Sequence, residues 1–157
     1  MIEVKITDEM LIKAREKAVE MGQLHNSILR GRGNMSGFIG EQVALSILGG
    51  EWENTYDYDM KVDNVRVDVK TKQTSVKPKP YYECSIAKFN TKQDCDAYAF
   101  VRVLNDFSVA WFLGVLTKKD YFDKATFLQK GDVDPSNNYT VKADCYNVRI
   151  DDLREKL

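Results

Sequence analysis

The stretch Tyr58-Asp59-Met60-Lys61-Val62-Asp63-Asn64-Val65-Arg66-Val67-Asp68-Val69-Lys70 decides how the rest of the chain is read. Apolar and polar residues alternate on either side of Asp63-Asn64, the pattern of two half-buried strands joined by a two-residue turn. Folding about that turn pairs Val62 with Val65, Lys61 with Arg66, Met60 with Val67 and Asp59 with Asp68. Successive side chains point to opposite faces, so Met60, Val62, Val65, Val67 and Val69 share an apolar face. Asp59, Lys61, Arg66, Asp68 and Lys70 share the other. Like charges placed opposite each other on a sheet are destabilising, so the two aspartates, with Lys70 one step along, call for a compensating group. A divalent cation is the simplest. The bland alternative is a hairpin with its charges in solvent, Asp68 bridged to Lys70 or Lys61. A one-residue slip would turn every side chain to the wrong face, so the pattern fixes the register. That register sets Asp57 opposite Lys70 and favours Asp59 over Asp57 as the first acid.

Upstream, Ser36–Leu48 is expected to be a helix ended by Gly49-Gly50. Phe38, Ile39, Val43, Ala44, Leu45, Ile47 and Leu48 cover most of its circumference, and Gln42 and Ser46 form a narrow polar strip. Glu41 does not join that strip; at helical spacing it falls among Phe38, Ala44, Leu45 and Leu48. An ionised carboxylate there costs several kcal/mol unless it meets a core base or a metal. Gly37 and Gly40 suit a close approach to a neighbouring element. Before this helix, Ile2–Ile6 is strand-like. A first helix follows, with Thr7 as N-cap, Asp8 and Glu9 at its positive end, Leu11, Ala14, Ala18 and Met21 as its apolar stripe, and Gly22 closing it. Residues 23–35 break the periodicity. Arg30 and Arg32, set between glycines, belong either to a plain surface loop or to one that meets phosphate. His25 and Asn26 hint at a histidine-dependent nuclease, but the chain has a single histidine.

Downstream of Lys70, SVKPKP is a loop, Tyr81–Ile86 a third strand, and Ala87–Asp94 a polar connection with a turn of helix. Asp96–Leu104 is the most apolar strand, turned by Asn105-Asp106 into Phe107–Leu116. Thr117-x-x-Asp120 resembles a capping box opening a helix to Lys124. Thr126–Lys130 and Tyr139–Ile150 supply strand material, and Asp151–Lys156 a last short helix. GDVDPSNN lacks the acid order of a calcium-binding EF-hand loop.

The 157 residues suit one domain, 1–157, and the 43% hydrophobic and 30% charged fractions are those of a soluble globular protein. Absence of a long apolar run or a signal-peptide core points away from membranes, and three cysteines without a CxxC suit reduced thiols in a cytoplasmic protein. With one histidine, a zinc site is not expected. Charge is uneven beneath a net of −1: residues 51–60 hold four acids and no base, and residues 61–92 hold eight bases against three acids. A polyanion suits such a basic stretch, as does plain solvent.

The element order is that of an α/β protein on a mixed sheet. Glu41 on a helix, Asp59 on one strand and Asp68-Val69-Lys70 on the next resemble the PD-(D/E)XK nuclease superfamily, although Tyr58 stands where the family name has proline. The resemblance implies a restriction-endonuclease-like mixed β-sheet flanked by helices, an αβββαβ core supplied by residues 36 to about 104. It further implies Mg²⁺- or Mn²⁺-dependent endonucleolytic hydrolysis of DNA, with Asp59, Asp68, Glu41 and the Val69 carbonyl around the metal and Lys70 stabilising the transition state. Lys72, Gln73, Lys77, Lys79, Lys88, Lys92, Arg30 and Arg32 would then contact the DNA backbone. Two alternatives stand beside this one. The first is a nuclease-like module that binds nucleic acid or protein without cutting; the second is a homodimeric junction or mismatch nuclease.

Overall fold

The computed structural model describes residues 1–24 and 35–157, so His25, Asn26, Arg30 and Arg32 lie outside the described residues. A six-stranded mixed sheet runs through the centre. It is built from β1 (Ile2–Lys5), β2 (Glu51–Trp52), β3 (Met60–Val62), β4 (Val65–Thr74), β6 (Ala97–Leu104) and β7 (Val109–Thr117), in the order β1-β7-β6-β4-β3-β2. All pairings in it are antiparallel except β4 with β6. A second, three-stranded sheet holds β5 (Glu83–Ala87), β9 (Cys145–Arg149) and β8 (Thr126–Leu128) in that order.

Alternation on β6 shows how the layers are separated. Ala97, Ala99, Val101 and Val103 face a core shared with α1 (Asp8–Leu24) and α2 (Met35–Leu48), where Ala14, Ala18, Ile39 and Val43 are buried. Tyr98 and Phe100 face a second core shared with β5, β9 and α3 (Lys118–Lys124), through Ile86, Val148 and Tyr121. The central sheet is therefore covered on both faces, which is why its inner strands read as continuous apolar runs. Among the described residues, no helix is long and apolar enough to cross a membrane.

The hairpin register is the one the alternation dictates: Met60 pairs with Val67, Lys61 with Arg66 and Val62 with Val65. Asp63 and Asn64 both adopt positive φ, 46° and 68°, as a primed hairpin turn demands. Local capping also follows the sequence. Thr7 Oγ1 accepts the Met10 N–H at 3.2 Å, and Thr117 Oγ1 accepts the Asp120 N–H at 3.1 Å.

Four expectations need correction. Tyr81–Ile86 does form a strand, but β5 leaves the central sheet for the small one; the third strand beside the hairpin is β2, which precedes it. The stretch Asp151–Lys156 is not a helix: a 3₁₀ turn covers Ile150–Asp152, and Arg154 then bridges to Val115 across the sheet. Of the segment 139–150, only Cys145–Arg149 is strand, with one further bridge between Val133 and Thr140. The first helix runs past Gly22 to Leu24.

Candidate functional site

β3 stops pairing with β4 at Met60–Val67, one residue short of the expected Asp59–Asp68 pair. Asp59 keeps its backbone bond to the Val67 carbonyl at 3.0 Å. Its side chain then takes the place of a strand: Oδ2 accepts the Val69 N–H at 2.7 Å. The carboxylate thus caps the edge of β4 where the sheet splits. The Val69 carbonyl lies on the same edge as its N–H, because both groups of an extended residue point to one side.

Glu41 reaches this split from α2. The helix can lie close to β4 because residue 40 is glycine: a Cβ there would stand 1.9 Å from Thr71 Oγ1. Gly37 plays no such part, since a Cβ on it would meet nothing within 4 Å. Glu41 is 7% exposed, and among the described residues no base lies within ion-pair reach of it; Oε2 accepts from Trp52 Nε1 at 2.6 Å and from Asn54 Nδ2 at 3.3 Å. Gln42 is also buried, so of the polar strip of α2 only Ser46 is exposed.

Asp68 is 4% exposed, so the hairpin charges are not simply solvated, although the Asp68–Lys70 bridge named in that alternative is present. Its Oδ2 lies 2.6 Å from Lys70 Nζ, an ion pair without the alignment of a hydrogen bond; geometrically that oxygen is left without a hydrogen-bond donor. Three carboxylates buried near one another are hard to ionise together. Burial first, then the Asp59 charge, pushes Glu41 up to about 8. Burial and then the Asp68 charge push Asp59 up to about 7. Asp68 is raised by burial, against the pull of Lys70.

Residues that local sequence did not flag complete the surroundings. Lys70 Nζ donates to Gln93 Oε1 at 3.0 Å, and Gln93 Nε2 donates to the Tyr56 carbonyl at 3.1 Å. Lys118 Nζ donates to the Gln93 carbonyl at 2.6 Å, and its charge helps to hold Asp68 ionised. Gln93 is itself held by a clamp at the start of β6. Arg66 bonds Asp94 at 2.6 Å and Asp96 at 2.8 Å, and the guanidinium pulls the Asp96 carboxyl down to about 2. Asp57, the rival first acid, serves here instead: its Oδ1 accepts the Asp94 N–H at 3.1 Å.

Among the described residues, Lys72 lines a small cavity with Lys70, but the other expected backbone-binding residues are dispersed. Lys72 and Gln73 continue along β4, with side chains open to solvent. Lys77 pairs with Glu3 at 3.3 Å, Lys79 sits 5.7 Å from the Tyr81 ring, and Lys88 lies 3.8 Å from Asp144. Lys92 is exposed on the 3₁₀ turn Lys88–Lys92.

No family model and no curated protein matches this chain. Its chemistry must therefore be argued from the site. Among the described residues, no three His, Cys, Asp or Glu side chains converge closely enough, as placed, to hold a metal ion. The donor set nevertheless fits a hard divalent cation in kind. It consists of the carboxylate oxygens of Asp68, held by Lys70 at 2.6 Å, and of Glu41 and Asp59, whose pKa values are pushed up first by burial and then by neighbouring acidic charge. A cation would reverse the penalty that raises the Glu41 and Asp59 pKa values, provided Lys70 yields its place beside Asp68.

Proposed function

We propose that this chain is a Mg²⁺- or Mn²⁺-dependent endodeoxyribonuclease with a restriction-endonuclease-like core. The observation that carries the reading is that Glu41, Asp59 and Asp68 lie near enough at the split of the sheet to feel one another's charge, though as placed they do not enclose an ion, with Lys70 Nζ 2.6 Å from Asp68. The order α2, β2, β3, β4, β5, the 3₁₀ turn and β6, with β5 diverted to the small sheet and β6 parallel to β4, supports the fold part of the proposal.

Asp59, Asp68 and Glu41 would hold the cation, with the Val69 carbonyl on the same edge. When bound, the ion would supply Lewis-acid activation of water and neutralise charge on the scissile phosphate. The protein's own groups have separate tasks. Asp59 fixes the end of β3 to Val69, so its carboxylate is placed by backbone and does not wander. Trp52 and Asn54 orient Glu41 through one oxygen. Gln93, anchored by Lys118 and Tyr56, holds Lys70 Nζ where it would donate to charge developing on a phosphate oxygen.

A second reading, a module that binds nucleic acid or protein without cutting, is favoured by the direct Lys70–Asp68 pair, which as placed lets the lysine stand in for a cation. Incubation of plasmid and single-stranded DNA with Mg²⁺ or Mn²⁺, comparing wild type with Asp68→Ala and Lys70→Ala, separates the two. Cleavage by wild type that both variants lose supports the enzyme. Absence of cleavage together with absence of Mn²⁺ binding supports the inert module. Plain, nicked and branched duplexes in the same assay would sort a junction or mismatch enzyme from a general one.

A further inference from the structure

Four residues beyond Asp68, the same face of β4 carries a second set of crowded like charges. Lys72 and Arg102 are direct partners in the parallel β4–β6 ladder, on strands about 4.8 Å apart. Arg102 is 9% exposed, and one of its nitrogens donates to the Glu83 carbonyl at 2.8 Å. Among the described residues, neither cation has a carboxylate within ion-pair reach. Burial lowers the Arg102 pKa, and burial followed by the Arg102 charge lowers that of Lys72. Removing an ion from water costs several kcal/mol unless a countercharge or a full set of hydrogen bonds replaces the lost solvation. A single carbonyl satisfies one of the five guanidinium donors. An arginine, unlike the carboxylates nearby, cannot escape by changing protonation state.

Both side chains line a groove of about 1050 Å³ between the ends of β4 and β6 and the small sheet, together with Gln73, Tyr82, Ser136 and Asn147. The acids of this groove, Glu83 and Asp134, are engaged locally. Glu83 Oε2 accepts from Ser136 Oγ at 3.2 Å and from Asn147 Nδ2 at 3.1 Å, and Asp134 Oδ1 accepts from Ser136 Oγ at 2.7 Å. A smaller cavity of about 90 Å³, lined by Lys70, Lys72 and Arg102 among others, shares its wall with the groove and leads from the pair towards Lys70.

We propose that Lys72 and Arg102 form a phosphate-binding site in this groove. A guanidinium fork beside an ammonium suits a tetrahedral, multiply charged oxyanion; a lone carboxylate would leave one cation uncompensated. The phosphate comes either from a free anion or from the backbone of a nucleic-acid strand running on towards Lys70. The second source rests on the nuclease reading above, whereas the first does not.

The test uses the full chain with excess EDTA, so that cleavage plays no part. Inorganic phosphate and a short single-stranded oligonucleotide are titrated separately, with binding read by calorimetry and by the shift in Tm. Lys72→Gln is the primary variant because its side chain reaches solvent; Arg102→Lys, which keeps the charge and loses the fork, is the second. At least one probe should bind wild type and raise its Tm. That probe should bind Lys72→Gln about tenfold more weakly, and the oligonucleotide's log–log salt slope should fall by about 1. Lys119→Gln, which removes a lysine paired with Asp123 and outside the groove, should bind as wild type does. Binding of free phosphate alone assigns a free anion, binding of the oligonucleotide alone assigns a strand, and either supports the site. Binding of neither probe, or equal binding by wild type and Lys72→Gln, overturns it. A phosphate effect lost in Lys72→Gln, in a protein that fails to cut DNA with Mn²⁺, would leave this site standing and remove the nuclease.

Discussion

Strand β4 carries two crowded charge sets of opposite sign on one face, and the protein treats them differently. Around Asp68, burial first and neighbouring acidic charge second raise the pKa values of Glu41 and Asp59, and Lys70 supplies a counter-ion. Around Lys72, the partner is an arginine, for which losing a proton is not available near neutrality, and no carboxylate of the described chain stands in. On the proposed reading the acidic set would exchange protons for a cation. Arg102 in the basic set keeps its charge near neutrality and would be answered by an anion. Because Asp68 and Lys72 lie four residues apart on one strand, a phosphate held by the basic set would approach the acidic one.

The harshest way to break this comparison is to remove the acidic set. Asp68→Ala or Lys70→Ala should lower DNA cleavage by about 10²-fold or more, as expected for loss of a charge-stabilising group, with initial rates on plasmid as the measurement. Equal rates in both variants and wild type would falsify the assignment.

Proton exchange gives the next largest effect. At pH 6.5, Mn²⁺ should bind with release of protons, because Asp59 and Glu41 retain them up to about 7 and about 8. Affinity should rise with pH through that window and level off above it, as calorimetry in buffers of different ionisation enthalpy would record. Proton uptake, or no exchange, would place the ion elsewhere.

Stability without metal should carry the same signature. The folded-state values of Glu41 and Asp59 lie above the ordinary 4.5 and 3.8, so between about pH 4 and 8 the folded chain binds more protons than the unfolded one. Stability from these groups is thus fully present at acidic pH and is lost as pH rises through about 7 and 8. Glu41→Gln should flatten that fall, giving a higher Tm than wild type at pH 8.5 in EDTA while weakening the stabilisation by Mn²⁺. A lower Tm at every pH would make Glu41 a structural residue.

The smallest effects concern how α2 delivers Glu41. Gly40→Ala should cost about 1–3 kcal/mol through overpacking against Thr71. Gly37→Ala, with open space around it, should stabilise by up to about 1 kcal/mol. Urea denaturation reads both, and equal effects would mean that the helix does not sit as closely as its glycine implies.

How much of this was legible in the chain depends on how far apart the interacting residues are. The hairpin turn, its register, the helix caps at Thr7 and Thr117 and the anomaly of Glu41 all depend on side-chain periods of 2 and 3.6 acting over a few residues. Those periods chose Asp59 over Asp57, although they overextended the ladder by one pair. They carried no information about Trp52, Asn54, Gln93 or Lys118, whose contacts with the site span from 11 to 25 residues. Nor could they show that β5 belongs to another sheet, since a strand's alternation does not say which partner it will meet.

The sequence by itself determined the hairpin turn and the register of Met60–Val62 on Val65–Val67, because alternation and turn geometry act locally and leave one register. Only the tertiary structure decided that β3 breaks away to let Glu41 in, and that β6 docks parallel to β4 with Arg102 beside Lys72. Both depend on elements distant in sequence packing on two faces of one sheet, where burial of the whole apolar surface outweighs the local cost of placing like charges together.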